Sequence, residues 1–396
     1  MRKNIFNSLV LLAGSLSLST VVLAQGDNII AEANNQFAFK LYGAYKSKDG
    51  NIFFSPYSIF SALAMTYEGA RGKTADEMLS VFGFPKDDSL RRKILLKLNN
   101  NINKKGKKYK LSTANALWAQ KDYKFLDNYF KLIDQYYGAN VTNLDFGAKV
   151  EESRETINQW VEKKTDNKIK NLIPQGAIDP LTRLILTNAI YFKGIWADKF
   201  DKSATSEKGF RTKPDNIVKV QMMNQNKRFN YAETDALQIL EIPYQDNELS
   251  ILILLPKKDE IKTLEDSLTF EKLSEYKKIL KNEEVDVSIP RFKFETKYEI
   301  KDDLARMGMP TAFSLRAADF SGMTGKQDLY IGRVIHQAFV EVNEEGTEAA
   351  GATAVLMEAN GMEISRMFNA DHPFIFFIQE KETGVILFMG RVSDPI

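Results

Sequence analysis

Glu344-Glu345-Gly346-Thr347-Glu348-Ala349-Ala350-Gly351-Ala352-Thr353-Ala354 is the stretch on which the reading of this chain turns. It is small, smooth and nearly free of bulk, yet it lies between two strand-like runs, Phe339 to Val342 and Phe374 to Ile378. A connection of roughly 25 residues at this place is long by ordinary standards and marks a functional loop. Read as a strand, Thr347, Ala349, Gly351, Thr353, Val355 and Met357 share one face, and Glu348, Ala350, Ala352, Ala354, Leu356 and Glu358 share the other. The first face carries no charge. A loop that stays in water has no need of such a face. A strand waiting to slide between two others does, and small side chains let it enter without clashes.

The surroundings are strands. Tyr330 to Val340 alternates and reads as a buried strand holding His336. Leu184 to Phe192, Leu237 to Ile242, Leu249 to Leu255, Val285 to Phe294 and Val385 to Met389 read the same way. The N-terminal half reads mainly helical. Ile29 to Tyr45 has helical spacing, Ser55-Pro56-Tyr57 starts a second helix, and Ser153 to Ile173 forms another. Thr74 with Glu77 three residues on has the capping-box pattern. Helices first and strands later predict an α+β fold. With no linker and no internal repeat, residues 25–396 read as a single domain.

Residues 1–24 read as a secretory signal: Arg2 and Lys3, an apolar run from Leu9 to Leu23, and Val22-Leu23-Ala24 at its end. The run falls short of the ~20 residues that a membrane span needs. The expected location is extracellular, or periplasmic in a bacterium. Of 54 basic residues, Arg2 and Lys3 leave with the signal, so 52 remain against 52 acidic ones. That balance argues for neither nucleic acid nor membrane. The chain has no cysteine, which excludes disulfides, thiolate metal sites and cysteine catalysis.

Enzyme chemistry finds little support. The only histidines are His336 and His372, no G-x-S-x-G elbow accompanies them, and no phosphate-binding or dinucleotide fingerprint exists. Metal ligands at usable spacing are missing, so neither cofactor nor metal is expected. Basic residues cluster once, at Lys86, Arg91, Arg92, Lys93 and Lys97 and then Lys104, Lys105, Lys107, Lys108 and Lys110. These form a weak polyanion site or, more simply, a solvated helix face with a basic loop.

Four motifs in order give the chain a family resemblance: Asn51-Ile52-Phe53-Phe54-Ser55-Pro56-Tyr57-Ser58-Ile59, Thr187-Asn188-Ala189-Ile190-Tyr191-Phe192-Lys193-Gly194-Ile195-Trp196, the 344–353 stretch, and Phe368-Asn369-Ala370-Asp371-His372-Pro373-Phe374-Ile375-Phe376. Over essentially the whole chain after residue 24 it resembles the serpins, inhibitors of serine proteases. The resemblance implies a serpin fold with a large central mixed sheet, smaller sheets and an exposed reactive loop at about 344–368. It makes Glu344, Gly346, Thr347, Ala349, Ala350, Gly351, Ala352 and Thr353 the hinge of that loop. Ser55, Ser58, Asn188 and His336 match the shutter, a polar cluster beneath the point where the sheet parts. Trp196, Arg291 and Glu344 match the breach, where the loop first enters, and Glu344 is expected to pair with Arg291.

The implied activity is irreversible, single-use inhibition. A protease cuts the bait bond, forms an acyl-enzyme, and is carried off as the hinge inserts. The family's usual spacing from Glu344 places the cut at Asn360-Gly361, with Ala359 and Met357 as alternatives. Uncharged bait residues suit elastase-like or subtilisin-like targets. The chain is expected to be a monomer that meets its protease covalently. Thr347 is expected to be exposed before cleavage and to turn inward afterwards. The alternative is a non-inhibitory serpin acting as carrier, chaperone or storage protein. Such members often carry bulky, charged or proline residues in the hinge, and this chain has none from Ala349 to Val355.

Overall fold

The computed structural model describes residues 29–104, 107–258, 260–347 and 366–396. The signal segment, Lys105 and the hinge and bait residues from Glu348 to Gly361 lie outside them. The described chain begins with helix α1 (29–45). Next come β1 (Ile52–Phe54), α2 (Pro56–Tyr67), α3 (Gly72–Phe82), α4 (Asp88–Ile102), β2 (Tyr109–Gln120), α5 (Asp127–Tyr137), β3 (Asn140–Leu144) and α6 (Val150–Lys164). Strands then dominate: β4 (Leu184–Ile195), β5 (Ser206–Lys213), β6 (Asn216–Glu233), β7 (Leu237–Pro243), β8 (Leu249–Pro256), β9 (Lys281–Pro290) and β10 (Phe292–Glu299), with α7 (Ile261–Ser267) and α8 (Phe270–Lys278) between β8 and β9. The last part holds α9 (Lys301–Met307), α10 (Ser321–Thr324), β11 (Arg333–Asn343), β12 (Gly346–Thr347), β13 (Arg366–Asn369), β14 (Phe374–Glu380) and β15 (Ile386–Val392).

Two sheets result. One runs β10-β11-β12-β4-β2-β3, and the other runs β1-β15-β14-β8-β7-β6-β9-β13 with β5 paired to β6. The continuous apolar run of β4 is explained by burial on both faces. Ile185, Ala189 and Tyr191 join a cluster with Ile157 and Val161 of α6. Leu184, Leu186, Ile190 and Phe192 turn to the other face, into the core shared by α2 and the second sheet. Each of the leucine, isoleucine and phenylalanine side chains among them contributes about 1.5–3 kcal/mol when fully buried.

Within the first sheet β11 runs parallel to β4, with Arg333–Phe339 against Ile185–Tyr191. Above Phe339 the two strands diverge and β12 lies between them. Thr347 pairs antiparallel with Val342 on one side and Gly194 on the other, and Gly346 pairs with Asn343 and Ile195.

Three local expectations change. The predicted helix from Ser153 to Ile173 stops at Lys164, because Asp166 and Asn167 take left-handed φ values of 52° and 59°. The Asn158 side chain then holds the returning segment, accepting from the Ile173 N–H at 2.8 Å and donating to its carbonyl at 2.9 Å. Thr74 and Glu77 cap nothing, since α3 begins at Gly72. Their oxygens instead accept from the Asp319 and Thr311 N–H groups, both at 2.9 Å, tying the helix to a distant loop. The run Val285 to Phe294 is two strands, not one. It breaks at Arg291, with β9 in the second sheet and β10 in the first.

Candidate functional site

The break at Arg291 brings its guanidinium to the mouth where β4 and β11 part. There β11 ends in a turn over Asn343 to Gly346 before the chain re-enters as β12. Arg291 Nε donates to Glu344 Oε1 at 2.7 Å, and the Thr205 hydroxyl donates to the same oxygen. Glu344 is 2 % exposed. Burial pushes its carboxyl upward, but the Arg291 and Thr205 donors outweigh that and hold it below the ordinary carboxylate range. Beside it, Glu345 pairs with Lys199 at 2.6 Å and Lys202 at 3.1 Å, and the Lys199 contact is the main reason its carboxyl is also held low.

Trp196 grips the same turn. Its indole Nε1 donates to the Asn343 carbonyl at 2.9 Å and its backbone N–H to that of Glu345 at 3.0 Å, while the Phe200 N–H donates to Glu344 at 3.0 Å. Tyr244 stacks on the Trp196 ring, with centroids 4.7 Å apart. Its hydroxyl shares a hydrogen bond of 2.6 Å with Thr347 Oγ1.

Thr347 is therefore not exposed in the intact chain. It is 1 % exposed, in contrast to the expectation from sequence. The reason lies in two glycines. A Cβ on Gly194 would come within 2.8 Å of the Tyr244 ring, so only glycine leaves that ring room beside β4. Gly346 has φ +147°, and a Cβ there would meet the Gly194 carbonyl oxygen at 2.0 Å. Tyr244 and Gly194 were not singled out by sequence reasoning. The run Glu241-Ile242-Pro243-Tyr244 offered only a buried aromatic.

Deeper in the same sheet lies a second polar cluster. Ser55 caps α2, its Oγ accepting from the Ser58 N–H at 3.1 Å and donating to the Leu387 carbonyl at 2.6 Å. The Ser55 N–H donates to His336 Nε2 at 3.1 Å, so the proton of this imidazole sits on Nδ1, which donates to Asn188 Oδ1. Asn188 Nδ2 in turn donates to Ser58 Oγ at 2.6 Å and to Asn115 Oδ1. Ser58, Asn188, His336 and Ser55 are thus brought together. Asn115, missed by sequence reasoning, completes the set. It sits on β2 directly across from Asn188, and His336 sits across from Asn188 on β11. Its signal was the alternation of Ser112, Ala114 and Ala116 around it, small residues on a strand.

Every ring nitrogen here has a partner, and burial lowers the His336 pKa from 6.5 to about 3. It stays neutral near pH 7 and is held rather than poised for proton transfer. His372 is also tied down, with Nε2 on the Pro256 carbonyl at 2.6 Å and Nδ1 2.8 Å from Asp371. Among the described residues no group of His, Asp and Glu could hold a metal ion, and no helix is long and apolar enough to cross a membrane.

The basic cluster seen in the sequence is divided by the fold. Arg91 is fully buried against Glu68 at 2.9 Å and Asp88 at 2.7 Å, and Arg92 joins Glu68 at 2.6 Å. Lys107 pairs with Glu248 and Lys110 with Asp166. Lys104 and Lys108 are exposed, but the Lys108 N–H faces the Asp246 carboxylate. Acids interleave with the lysines, which weakens the case for a polyanion site.

Residues 32–395 match the family model for the serpins, described as serine protease inhibitors. The chain is 45 % identical to a serpin-like protein of Methanosarcina acetivorans over 93 % of its length and 88 % of the relative's. It is 44 % identical to the human leukocyte elastase inhibitor, covering 92 % of this chain and 99 % of that one. The crystal structure of uncleaved ovalbumin superimposes with a TM-score of 0.85 at 32 % identity, covering 93 % of this chain and all of that one.

Proposed function

The chain belongs to the serpin family, and from that premise we propose that it is an irreversible suicide-substrate inhibitor of elastase-like or subtilisin-like serine proteases. One observation carries this reading. Gly346 and Thr347 already lie hydrogen-bonded between β4 and β11, at the point where those strands diverge. A strand seated there has one direction in which to grow, down between the strands that now pair directly from Arg333 to Phe339. Growth requires β4 and β11 to separate by one strand spacing, about 4.8 Å. The His336–Asn188 bond spans that pair and must break or move. The cluster around it is therefore a lock on sheet opening.

The protease's serine attacks the carbonyl of the bait bond, and the part of the loop joined to Thr347 becomes an acyl group on that serine. The chain supplies no catalytic residue. It supplies a race between insertion and hydrolysis of the acyl-enzyme, in which each ~1.4 kcal/mol on the insertion barrier costs a tenfold change in rate. The bait bond is Asn360-Gly361 in this reading, with cuts after Ala359 or Met357 as the alternatives; all lie outside the described residues. The small hinge residues Ala349, Ala350, Gly351, Ala352 and Thr353 support inhibition over a carrier or storage role. The signal-like residues 1–24 support secretion.

The test is a denaturing gel of the protein mixed with a panel of serine proteases. A band of summed mass that survives denaturant, with release of a peptide beginning at Gly361, is expected. No such band with any protease would leave the non-inhibitory reading in its place, and a peptide starting elsewhere would move the bond.

A further inference from the structure

One lysine of α8 is turned away from water. Lys277 stands one helical turn beyond Leu273, the residue that α8 buries in the core, and so lies on the face that the helix turns toward the protein. It is half-buried, whereas Lys278 beside it is exposed. Among the described residues its amine has no hydrogen bond and no carboxylate within ion-pair distance. The charge that acts on it is the buried Glu241 carboxylate of β7.

Glu241 is held by neutral donors: Asn230 Nδ2 of β6 at 2.7 Å, Ser250 Oγ of β8 at 2.7 Å and Gln379 Nε2 of β14 at 3.1 Å. Ser250 and Gln379 are buried as well, and Gln379 Oε1 has no partner. Four strands thus build a polar cluster that is short of one donor and, among the described residues, holds no cation within ion-pair reach.

Burial disfavours the Lys277 ammonium more than Glu241 supports it, which pulls its pKa down to about 8. At about pH 7.5 it offers on the order of a hundredfold more free amine than an exposed lysine of ordinary pKa. A desolvated free amine is a nucleophile toward carbonyl carbon. The cluster's charge selects among carbonyl reagents. An acyl donor would turn the amine into a neutral amide and leave Glu241 with no positive group facing it. An aldehyde keeps the charge. The nitrogen adds to the carbonyl carbon and one of its protons moves to the oxygen. A solvent proton then lets that hydroxyl leave as water, and the C=N bond that forms carries the positive charge. We propose that Lys277 is a modification site for small aldehydes, held as an iminium that faces the Glu241 carboxylate.

The experiment treats the full folded chain at about pH 7.5 with acetaldehyde and cyanoborohydride, which reduces the iminium to a stable N-ethyl lysine, and maps the ethyl groups by peptide mass spectrometry. Lys277 should be ethylated about tenfold or more faster than Lys278, less than the free-amine ratio because a weaker base is a weaker nucleophile. The advantage should vanish at about pH 10 and in guanidinium chloride, where both lysines are alike. Equal rates at Lys277 and Lys278 in the folded chain overturn the site. Glu241→Gln tests the counter-charge. Acetic anhydride leaves no charge on the nitrogen, so the ratio of ethylation to acetylation at Lys277 should fall severalfold in this variant, and an unchanged ratio overturns the role of Glu241. The comparison of Lys277 with Lys278 needs no variant and stands even where Glu241→Gln fails to fold. Either failure leaves protease inhibition untouched.

Discussion

The hydroxyls of Tyr244 and Thr347 meet at 2.6 Å in a site where both residues are buried, so this hinge residue is already seated in the sheet of the intact chain. Removing one partner strands the other. Thr347→Val or Tyr244→Phe alone should each cost about 1–3 kcal/mol, whereas the double variant should cost clearly less than their sum, because no hydroxyl is left unsatisfied. Urea unfolding midpoints of the four proteins measure this. Additive losses would mean that the two hydroxyls do not interact. Thr347→Arg is the severe case. A buried, unpaired guanidinium costs several kcal/mol, and here the loss falls on the intact fold as well as on insertion. The variant should melt at lower temperature and be cut without inhibiting.

Arg291 and Lys199 hold neighbouring glutamates in the same turn, yet their loss should differ. Arg291→Met leaves the Glu344 carboxylate, 2 % exposed, without its charged donor, at a cost of about 1–3 kcal/mol. Lys199 is 39 % exposed and Glu345 keeps Lys202, so Lys199→Met should cost at most about 1 kcal/mol. Equal losses in chemical denaturation would mean that burial of Glu344 does not set the scale.

Gly346→Ala tests the seat without adding polarity. The new methyl would collide with the Gly194 carbonyl oxygen, so β12 should leave the sheet. Amide hydrogen exchange at Gly346 and Thr347 reads this directly and should rise by orders of magnitude. Unchanged protection would show that the backbone adapts in place.

The gross architecture was legible because alternation and apolar runs are local signals. Leu184 to Phe192 and Phe374 to Ile378 announce buried strands whatever packs on them. What was hidden depends on partners far along the chain. Thr74 and Glu77 have the spacing of a cap but bond to Asp319 and Thr311, and no local rule foresees that. Arg291 lies inside an apparently continuous strand, and only the assignment of β9 and β10 to different sheets reveals it as a corner. The pairing of Glu344 with Arg291 came through the family resemblance rather than from spacing. Asn115 and Tyr244 carry no distinctive pattern, since a buried amide or phenol is defined by what surrounds it. The seating of Thr347 was misjudged for the same reason: its burial is decided by Gly194 and Tyr244.

His336 should make the protein acid-sensitive in a defined window. Its pKa falls from 6.5 to about 3 on folding, because burial disfavours the charged ring. The unfolded chain therefore binds the proton more readily. Stability from this residue is fully present above pH 6.5 and is lost progressively as pH drops toward 3, at about 1.4 kcal/mol per pH unit. Protonation also puts a proton on Nε2, which now accepts from the Ser55 N–H, so the imidazolium must give up that bond. The bond lies beside the β4–β11 pair, and the loss should appear as easier sheet opening. Between pH 6.5 and 5 the unfolding midpoint should fall in the parent protein and fall less in His336→Gln, whose amide keeps one donor and one acceptor and does not titrate. Carboxylates held low, such as Glu344 and Glu345, lose their contribution as pH falls through the ordinary carboxylate range toward their lowered folded values. The same slope in both proteins would place the acid sensitivity elsewhere and remove His336 as its source.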